Sequence, residues 1–249
     1  MKALILTFLA ASSLVAQATG PAATLLAKGD ALDQQLKTKE ALAVFLEAEK
    51  AAPGDAGVLR RVAKGYAELM PDTSSKDGKR ALGQKAVEYA RRAVAADPKD
   101  AQAHLALAIC YGRVAPLLDN QTKINYSKLI KEHVERSLAL DASSDYAWHV
   151  LGAWHYELAG LNPVLRAVAR LVYGGVPSAS YDDAVKYFKK AIELAPQRVA
   201  HHVELGRTYA AKGQTELARA SLNKGLSLPN REKDDVETKE RGRAAVKKL

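Results

Sequence analysis

The fold is decided by two stretches, Asp145-Tyr-Ala-Trp148-His-Val-Leu151-Gly152-Ala-Trp-His155-Tyr156 and Ala184-Val-Lys-Tyr-Phe188-Lys-Lys-Ala191-Ile-Glu-Leu-Ala-Pro196. Both place small and large side chains at helical spacing, and Pro196 closes the second stretch. Small residues allow two helices to approach closely, a large residue fills the gap between them, and proline stops a helix. The stretches therefore predict a pair of antiparallel helices, separated by about twenty more residues than a repeat of about 34 residues requires.

The spacing of the second stretch, small-x3-large-x2-small-x4-Pro, recurs along the chain. It appears at Ala41–Pro53 and Ala86–Pro98, in weakened form at Ile130–Ala142, and again at Ala218–Pro229, where the proline comes one position early. Such periodicity is typical of tetratricopeptide repeats, in which each helix pair buries its apolar face against its neighbours. The sequence thus predicts an all-α, tetratricopeptide-like helical-repeat solenoid of five antiparallel helix pairs.

The repeats are unequal in length. The second helices are predicted near residues 38–52, 79–97, 123–140, 180–195 and 214–228. The second, third and fourth pairs exceed the repeat period, and their extra residues fall in Met70–Gly83, Val114–Asn125 and Gly160–Tyr181. Equivalent turns of a stacked array share one edge, so these insertions are expected side by side there. They are either functional decoration or tolerated loop growth.

The third insertion predicts an extra helix inside the fourth pair. Asn162 suits the N-cap, Pro163 the first helical position, and Gly174-Gly175 the end. This helix either docks on the solenoid or touches a membrane surface. Its apolar residues are Val164, Leu165, Val168, Leu171 and Val172. The charged segment 231–249 predicts a C-terminal capping helix with a polar outer face.

The first eighteen residues have the composition of a secretory signal peptide. Lys2 precedes the apolar run Ala3–Val15, and Ala16-Gln17-Ala18 offers a small-x-small cleavage site. The run is shorter than the roughly 18 residues of a spanning helix, and no other stretch is apolar enough to span a membrane. We predict a signal peptide at 1–18, a mature repeat domain at 19–249, and export to the periplasm or beyond. Retention of the segment as an anchor is the alternative.

The sequence contains no recognisable catalytic or cofactor motif. The single cysteine, Cys110, lies in an apolar helical pattern, which favours a small buried side chain over a nucleophile. The six histidines show no i, i+4 pair typical of a helical metal site. Phosphate loops, nucleophile elbows and kinase elements are also missing. We therefore predict no enzyme, no cofactor and no metal site, but a protein-interaction scaffold.

A candidate partner-binding groove follows from the repeat register. Fixed offsets from the small residue of each first helix select the side chains of the concave face. They predict a binding set of Arg60, Lys64, Leu105, Ile109, Arg113, Tyr146, His149, Tyr156 and Arg207, with Glu68, Gln102, Glu157 and Val203 beside them. An ordinary solvated inner face is the alternative.

The chemistry of this set indicates the kind of partner. Its cations suit carboxylates or phosphates, and its tyrosines give large contact areas at low entropic cost. Together with the net charge of +9, the set favours an acidic protein or peptide, with an anionic phospholipid as the alternative. Nucleic acid is less favoured because the sequence has no clustered basic and aromatic strip.

Three segments carry a more specific resemblance. They are Lys123–Arg136, Trp148–Gly152 and Pro177–Phe188. Their order, with an extra helix inside the fourth pair and Pro-x3-Tyr before its second helix, resembles the regulator of microtubule dynamics family over about residues 32–249, here as an exported, bacterial-type member. The resemblance implies a non-enzymatic, interrupted repeat domain that works through protein and lipid contacts. It also implies a role like that of family members associated with microtubules, spindle poles and mitochondria.

Overall fold

A computed structural model describes residues 20–174 and 178–249 of the chain. Within these ranges the regular structure consists of twelve α-helices and one short 3₁₀ turn, and none of their helices is long and apolar enough to cross a membrane. The predicted signal peptide at 1–18 lies outside the described residues, as do Gly175 and Pro177.

Five helix pairs stack in chain order. They are α1 (Pro21–Gln34) with α2 (Thr38–Ala51), α3 (Ala56–Leu69) with α4 (Lys76–Ala96), α5 (Ala101–Val114) with α6 (Asn120–Leu140), α7 (Asp145–Ala159) with α9 (Tyr181–Leu194), and α10 (Val199–Ala211) with α11 (Thr215–Ser227). The extra helix α8 (Pro163–Tyr173) interrupts the fourth pair, and α12 (Asp235–Val246) packs on α10 and α11. The predicted all-α solenoid, with its extra and capping helices, is confirmed.

Glycine in a first helix makes room for a large side chain of the second helix. A Cβ atom added to Gly29 would lie 2.3 Å from Cε1 of Phe45, and one added to Gly152 would lie 3.0 Å from the ring of Phe188. Both rings are almost fully buried. The small and large positions of the repeat therefore meet across each of these two pairs, which explains their spacing in the sequence.

Aromatic ring nitrogens anchor the turns between pairs. Nε2 of His104 and Nε2 of His202 lie 3.1 Å and 2.9 Å from the carbonyl oxygen six residues earlier. The Nε1–H of Trp148 donates to the equivalent carbonyl at 2.9 Å. These rings satisfy carbonyl groups at the start of three repeats, so two of the six histidines have a structural role.

The first two insertions lengthen helices more than they form loops. Helices α4 and α6 each contain 21 residues, whereas α2 contains 14. They begin earlier than predicted, because the side chains of Ser75 and Asp119 cap them by accepting backbone N–H groups. Arg80 of the first insertion donates to the carbonyl of Leu117 in the 3₁₀ turn Ala115–Leu117 at 3.2 Å. Adjacent insertions therefore touch, as the repeat register predicts.

The ends of α8 match the sequence prediction. The side chain of Asn162 accepts the N–H of Leu165 at 2.9 Å, and Pro163 occupies the first turn. The helix ends at Gly174, whose φ of 71° lies in the left-handed region that glycine tolerates best.

Only one side of α8 is covered. Ala169 is fully buried against the solenoid, and the hydroxyl of Tyr173 lies 2.9 Å from that of Ser127 in α6. Val164 and Leu171 remain 64% and 81% exposed. The helix therefore docks as the first alternative predicted, but two of its apolar residues face solvent.

Candidate functional site: the concave groove and the arm that crosses it

The concave face of the solenoid contains a cavity of about 620 Å³. Its floor comes from α5, α7 and α10, one edge comes from the first two insertions, and the opposite wall comes from residues 232–241. The lining includes Arg113, Tyr146, His149, Ala200 and Glu204 on the floor, Met70, Pro71, Lys79 and Leu117 at the edge, and Glu232, Asp234, Asp235, Glu237, Thr238 and Arg241 on the wall.

Three of the nine predicted binding residues line this cavity together. They are Arg113, Tyr146 and His149, supplied by two different first helices. Tyr146 lies against His149, with ring centroids 5.1 Å apart. The guanidinium group of Arg198 lies over the Tyr146 ring at 5.1 Å. An aromatic surface next to fixed positive charge suits a ligand that carries both apolar and anionic groups.

Tyr156 and Arg207 form a neighbouring pair on α7 and α10. The guanidinium group of Arg207 lies 5.1 Å from the centroid of the Tyr156 ring and donates to Glu204 at 2.6 Å. Burial raises the pKa of the nearby Glu157 above its ordinary value, although Arg207 acts to lower it. This pair extends the groove surface beyond the cavity. The positive charge of Arg207 is partly compensated there by Glu204.

The other four predicted residues lie outside the cavity. Arg60 lines a second cavity beside α1, and Lys64 forms ion pairs with Asp33 at 2.6 Å and Glu68 at 2.9 Å. Leu105 is only 5% exposed and packs in the core between α5, α6 and α7, with Ile109 at the edge of the same cluster. Leu105 is therefore a packing residue in this structure.

Residues 231–234, which we call the arm, form the second half of the connection from α11 to α12 and cross the groove. Asp234 of the arm forms an ion pair with Arg113 of α5, and Glu232 forms one with Arg198, which precedes α10. All four side chains are between 25% and 37% exposed. The arm thus places two carboxylates, two residues apart, against two cations from different repeats.

The residue between the two carboxylates points to the opposite edge. Nζ of Lys233 donates to the carbonyl oxygen of Glu68 and to the carboxylate of Asp72, at 2.7 Å in each case. These acceptors lie at the end of α3 and in the first insertion. The alternation of acid, base and acid along the arm therefore matches an alternation of partners across the groove.

A carboxylate next to the arm fixes its turn. Asp235 is 3% exposed and accepts the backbone N–H groups of Arg231 and Glu232 at 2.7 and 2.8 Å. Its own N–H donates to the Glu232 carbonyl at 3.1 Å. The arm is therefore preorganised by local hydrogen bonds to a buried group.

A buried polar chain lies below the cavity floor. Nε2 of His201 lies 2.9 Å from the carboxylate of Asp145, and Nδ1 of His201 lies 3.0 Å from Nδ1 of His149. Burial lowers the pKa of both imidazoles, although the Asp145 carboxylate acts to raise them. Burial acts to raise the pKa of Asp145, but His201 and Arg198 outweigh it, so this pKa lies below its ordinary value. The contact between two Nδ1 atoms requires one donor and one acceptor, which suits neutral rings.

The described residues offer little for catalysis or metal binding. Among residues 20–174 and 178–249, no group of three or more His, Cys, Asp or Glu side chains could hold a metal ion. Cys110 is 2% exposed, and burial raises the pKa of its thiol to about 12. A thiol in this state is a poor nucleophile because the reactive thiolate is not formed near neutral pH.

The repeat register does not select several residues of the site. Arg198 lies in the turn before α10, outside the helix-face offsets, and Glu232 and Asp234 lie beyond the last repeat. The sequence signal was the alternation of acidic and basic residues just after Pro229, which also fits a polar cap.

Comparison with known proteins identifies the family. A family model described as regulator of microtubule dynamics protein 1-3 matches residues 25–249. The chain belongs to this family. Regulator of microtubule dynamics protein 1 from Mus musculus is 27% identical over 223 residues, which are 89% of this chain and 72% of that protein. The Rattus norvegicus protein of the same name is 31% identical over 178 residues, or 71% and 57% of the two chains.

Solved structures confirm the tetratricopeptide architecture. The structure of TTC0263, a tetratricopeptide protein of Thermus thermophilus, superposes with a TM-score of 0.65 at 18% identity, over 90% of this chain and 98% of that one. The Pseudomonas aeruginosa pilF structure superposes with a TM-score of 0.54 at 12% identity, over 91% of this chain and 87% of that one. At such low identity these likenesses show the fold alone.

Proposed function

We propose that the chain is a non-enzymatic scaffold that binds a protein or peptide partner in its concave groove. The observation that carries this proposal is the cavity floor, where Arg113, Tyr146 and His149 lie together. Tetratricopeptide-like solenoids present such surfaces on rigid helices, which keeps the entropic cost of binding low.

The family relationship supports a regulatory role. The relatives are named for the regulation of microtubule dynamics, and we propose that this chain acts in a similar way, by holding a partner. We also propose that residues 1–18 direct export, so that the mature domain works in the periplasm or outside the cell, on a partner other than cytosolic tubulin. Cell fractionation with a specific antibody tests this, and recovery of the chain in the cytosol would contradict it.

A peptide array probed with the purified chain tests the groove. Binding to any peptide is expected to weaken about tenfold or more in Arg113→Gln, because a charge-assisted contact to the ligand is removed. The matched control is Lys190→Gln, which removes a charge from an exposed ion pair with Glu193 on α9. Equal binding by Arg113→Gln and the unchanged chain would assign the peptide to another surface.

Phospholipid binding is a second candidate, favoured by the uncovered side of α8. Val164 and Leu171 are exposed, and the same helix carries Arg166 and Arg170, the composition of a helix that lies on an anionic membrane. Flotation with vesicles that contain an anionic phospholipid is expected to carry the chain upward, and Leu171→Ser to reduce this. Equal flotation with zwitterionic vesicles, or none at all, would exclude this candidate.

A further inference from the structure

We propose that the arm is an internal copy of the ligand. The groove recognises a peptide segment with the charge order acid–base–acid, and Glu232-Lys233-Asp234 competes with that peptide for the same binding site. This inference rests on the proposed function, because it names the class of partner that the groove binds.

The first argument is charge complementarity at fixed positions. Arg113 and Arg198 come from α5 and from the turn before α10, and each faces one arm carboxylate. Lys233, between these carboxylates, binds Asp72 and a backbone carbonyl on the other side of the groove. A peptide that replaces the arm must supply the same three charges, or it leaves the partly buried Arg113 without its carboxylate partner and Arg198 with Asp145 alone.

The second argument concerns what holds the arm in place. All four arm residues are charged, and Val236, the first apolar residue after them, is 54% exposed. Polar contacts therefore anchor the arm to α3, to the first insertion, to α5 and to the turn before α10. Such contacts can be exchanged for equivalent contacts to another peptide, because solvent and salt reach them.

The third argument is that α12 has its own anchorage. Val246 at its C-terminal end, and Leu249 just after the helix, pack against the buried cluster of α10 and α11. A Cβ atom added to Gly242 would lie 3.3 Å from Val203, so the helix approaches α10 closely. The arm can therefore leave the groove while α12 stays attached. A segment tethered in this way competes at an effective concentration in the millimolar range.

The test uses a fluorescent peptide with the sequence of residues 230–238, Asn-Arg-Glu-Lys-Asp-Asp-Val-Glu-Thr, added to the full chain. Fluorescence anisotropy would measure its affinity for the unchanged chain and for the double variant Glu232→Gln, Asp234→Asn. We expect binding to the double variant to be at least about tenfold tighter, because the tethered competitor has lost its charges.

Two controls make the result specific. Glu240→Gln changes an exposed carboxylate of α12, so this variant should bind the peptide as weakly as the unchanged chain. A peptide with Gln in place of its two Glu residues and Asn in place of its two Asp residues should not bind the double variant. Adding Arg113→Gln to the double variant should reverse the gain in affinity, and circular dichroism would verify that each variant keeps its helices.

Two outcomes would overturn the inference. Equal affinity for the unchanged chain and the double variant would show that the arm does not compete. Failure to bind either chain would show that the arm is not a copy of the ligand. Neither outcome decides the proposed function, because a peptide array hit that depends on Arg113 would still assign a partner to the groove.

Discussion

The two ends of the concave groove use the same ion-pair chemistry on different supports. At the N-terminal end, Arg61 and Lys64 of α3 bind the carboxylates of Asp30 and Asp33 in α1, with closest distances of 2.6 Å. At the C-terminal end, Arg113 and Arg198 bind the carboxylates of the arm. In both places the chain supplies carboxylates that cover the cations of a first helix or its preceding turn.

The difference lies in what holds the carboxylates. Helix α1 packs Leu26 and Leu32 against the cluster that contains Phe45, so its aspartates stay in place whether or not they are paired. The arm has no such apolar contact. Exposed ion pairs contribute little stability, since most of the Coulomb energy is lost to solvent. Where apolar packing already fixes an element, such as α1, the ion pairs only align it. Where that packing is missing, as in the arm, another ligand can replace the element.

The largest expected effect is the loss of the apolar support itself. We predict that Phe45→Ala and Phe188→Ala each lower the free energy of unfolding by about 3–5 kcal/mol, because each leaves a cavity beside a glycine that cannot fill it. Urea unfolding followed by circular dichroism measures this loss. Leu217→Ala is the control: it changes a side chain that is 49% exposed and should cost no more than about 0.5 kcal/mol. A loss below about 1 kcal/mol for Phe45→Ala would contradict the packing argument.

The two variants should also affect different ends of the groove, as hydrogen exchange would show. Phe45→Ala should loosen α1 and expose its amides to hydrogen exchange, whereas the arm should remain protected. Phe188 lies against His149, with centroids 5.3 Å apart, so Phe188→Ala should loosen the cavity floor instead. If Phe45→Ala exposed both ends equally, the two supports would not be independent.

The second effect is release of the arm. We predict that Arg113→Gln and Arg61→Gln each cost at most about 1 kcal/mol, because both ion pairs are partly exposed to about the same extent, but that only Arg113→Gln releases the segment that carries the carboxylate. Trypsin cleavage after Lys233 should be faster in Arg113→Gln, and also in the unchanged chain at high salt. An unchanged cleavage rate under both conditions would show that the arm is held by something other than ion pairs.

The sequence predicts most of the fold for a physical reason. Small and large residues such as Gly152 and Phe188 must alternate at fixed spacing to pack two helices, so the repeat is visible without coordinates. The capping signals of α8 are equally local, since Asn162 and Gly174 act within one helical turn. The interruption of the fourth pair is visible in the same way, because the spacing of the repeat leaves an excess of about twenty residues there.

The site is less predictable because it joins distant segments. Helix offsets locate Arg113, Tyr146 and His149, which the structure brings together, but they also select Leu105, which is buried in the core. Offsets describe a face of one helix, whereas burial depends on how neighbouring pairs stack. Asp234 lies 121 residues from Arg113, and no local rule connects an acidic run after the last repeat to a cation in the third.

The third effect depends on pH and comes from buried histidines of the C-terminal end. All six histidines lie at or after residue 104, so α1 to α4 contain none. The folded chain lowers the pKa of His149 and His201, mainly through burial. Below about pH 6.5 the unfolded chain therefore binds more protons than the folded one. This contribution to stability is complete above that pH and is lost as the pH falls.

Urea unfolding between pH 7.5 and pH 5.5 checks this sign. The unchanged chain should lose stability as the pH falls from 7.5 to 5.5, and His149→Gln should lose less. The difference between these two losses should be smaller than the free energy of unfolding that Arg113→Gln costs. Arg61→Gln, which removes the partner of Asp30, is the control at the other end and should keep the full pH dependence. The Asp145 carboxylate does not interfere, because its lowered pKa makes it titrate below the pH values used. If the stability of His149→Gln fell more steeply with decreasing pH than that of the unchanged chain, His149 would not be a source of the pH dependence.

The smallest effect tests the N-terminal ion pairs alone. We predict that Asp33→Asn changes the free energy of unfolding by less than about 0.5 kcal/mol, because its partner Lys64 is 48% exposed and retains Glu68. Hydrogen exchange in α1 should stay the same, since Leu26 and Leu32 still hold the helix. Asp234→Asn removes the same kind of charge, but it should raise hydrogen exchange in residues 231–234. If both substitutions released their segments, apolar packing would not distinguish the two ends. If neither did, the arm would be a fixed wall of the groove and could not give way to a partner.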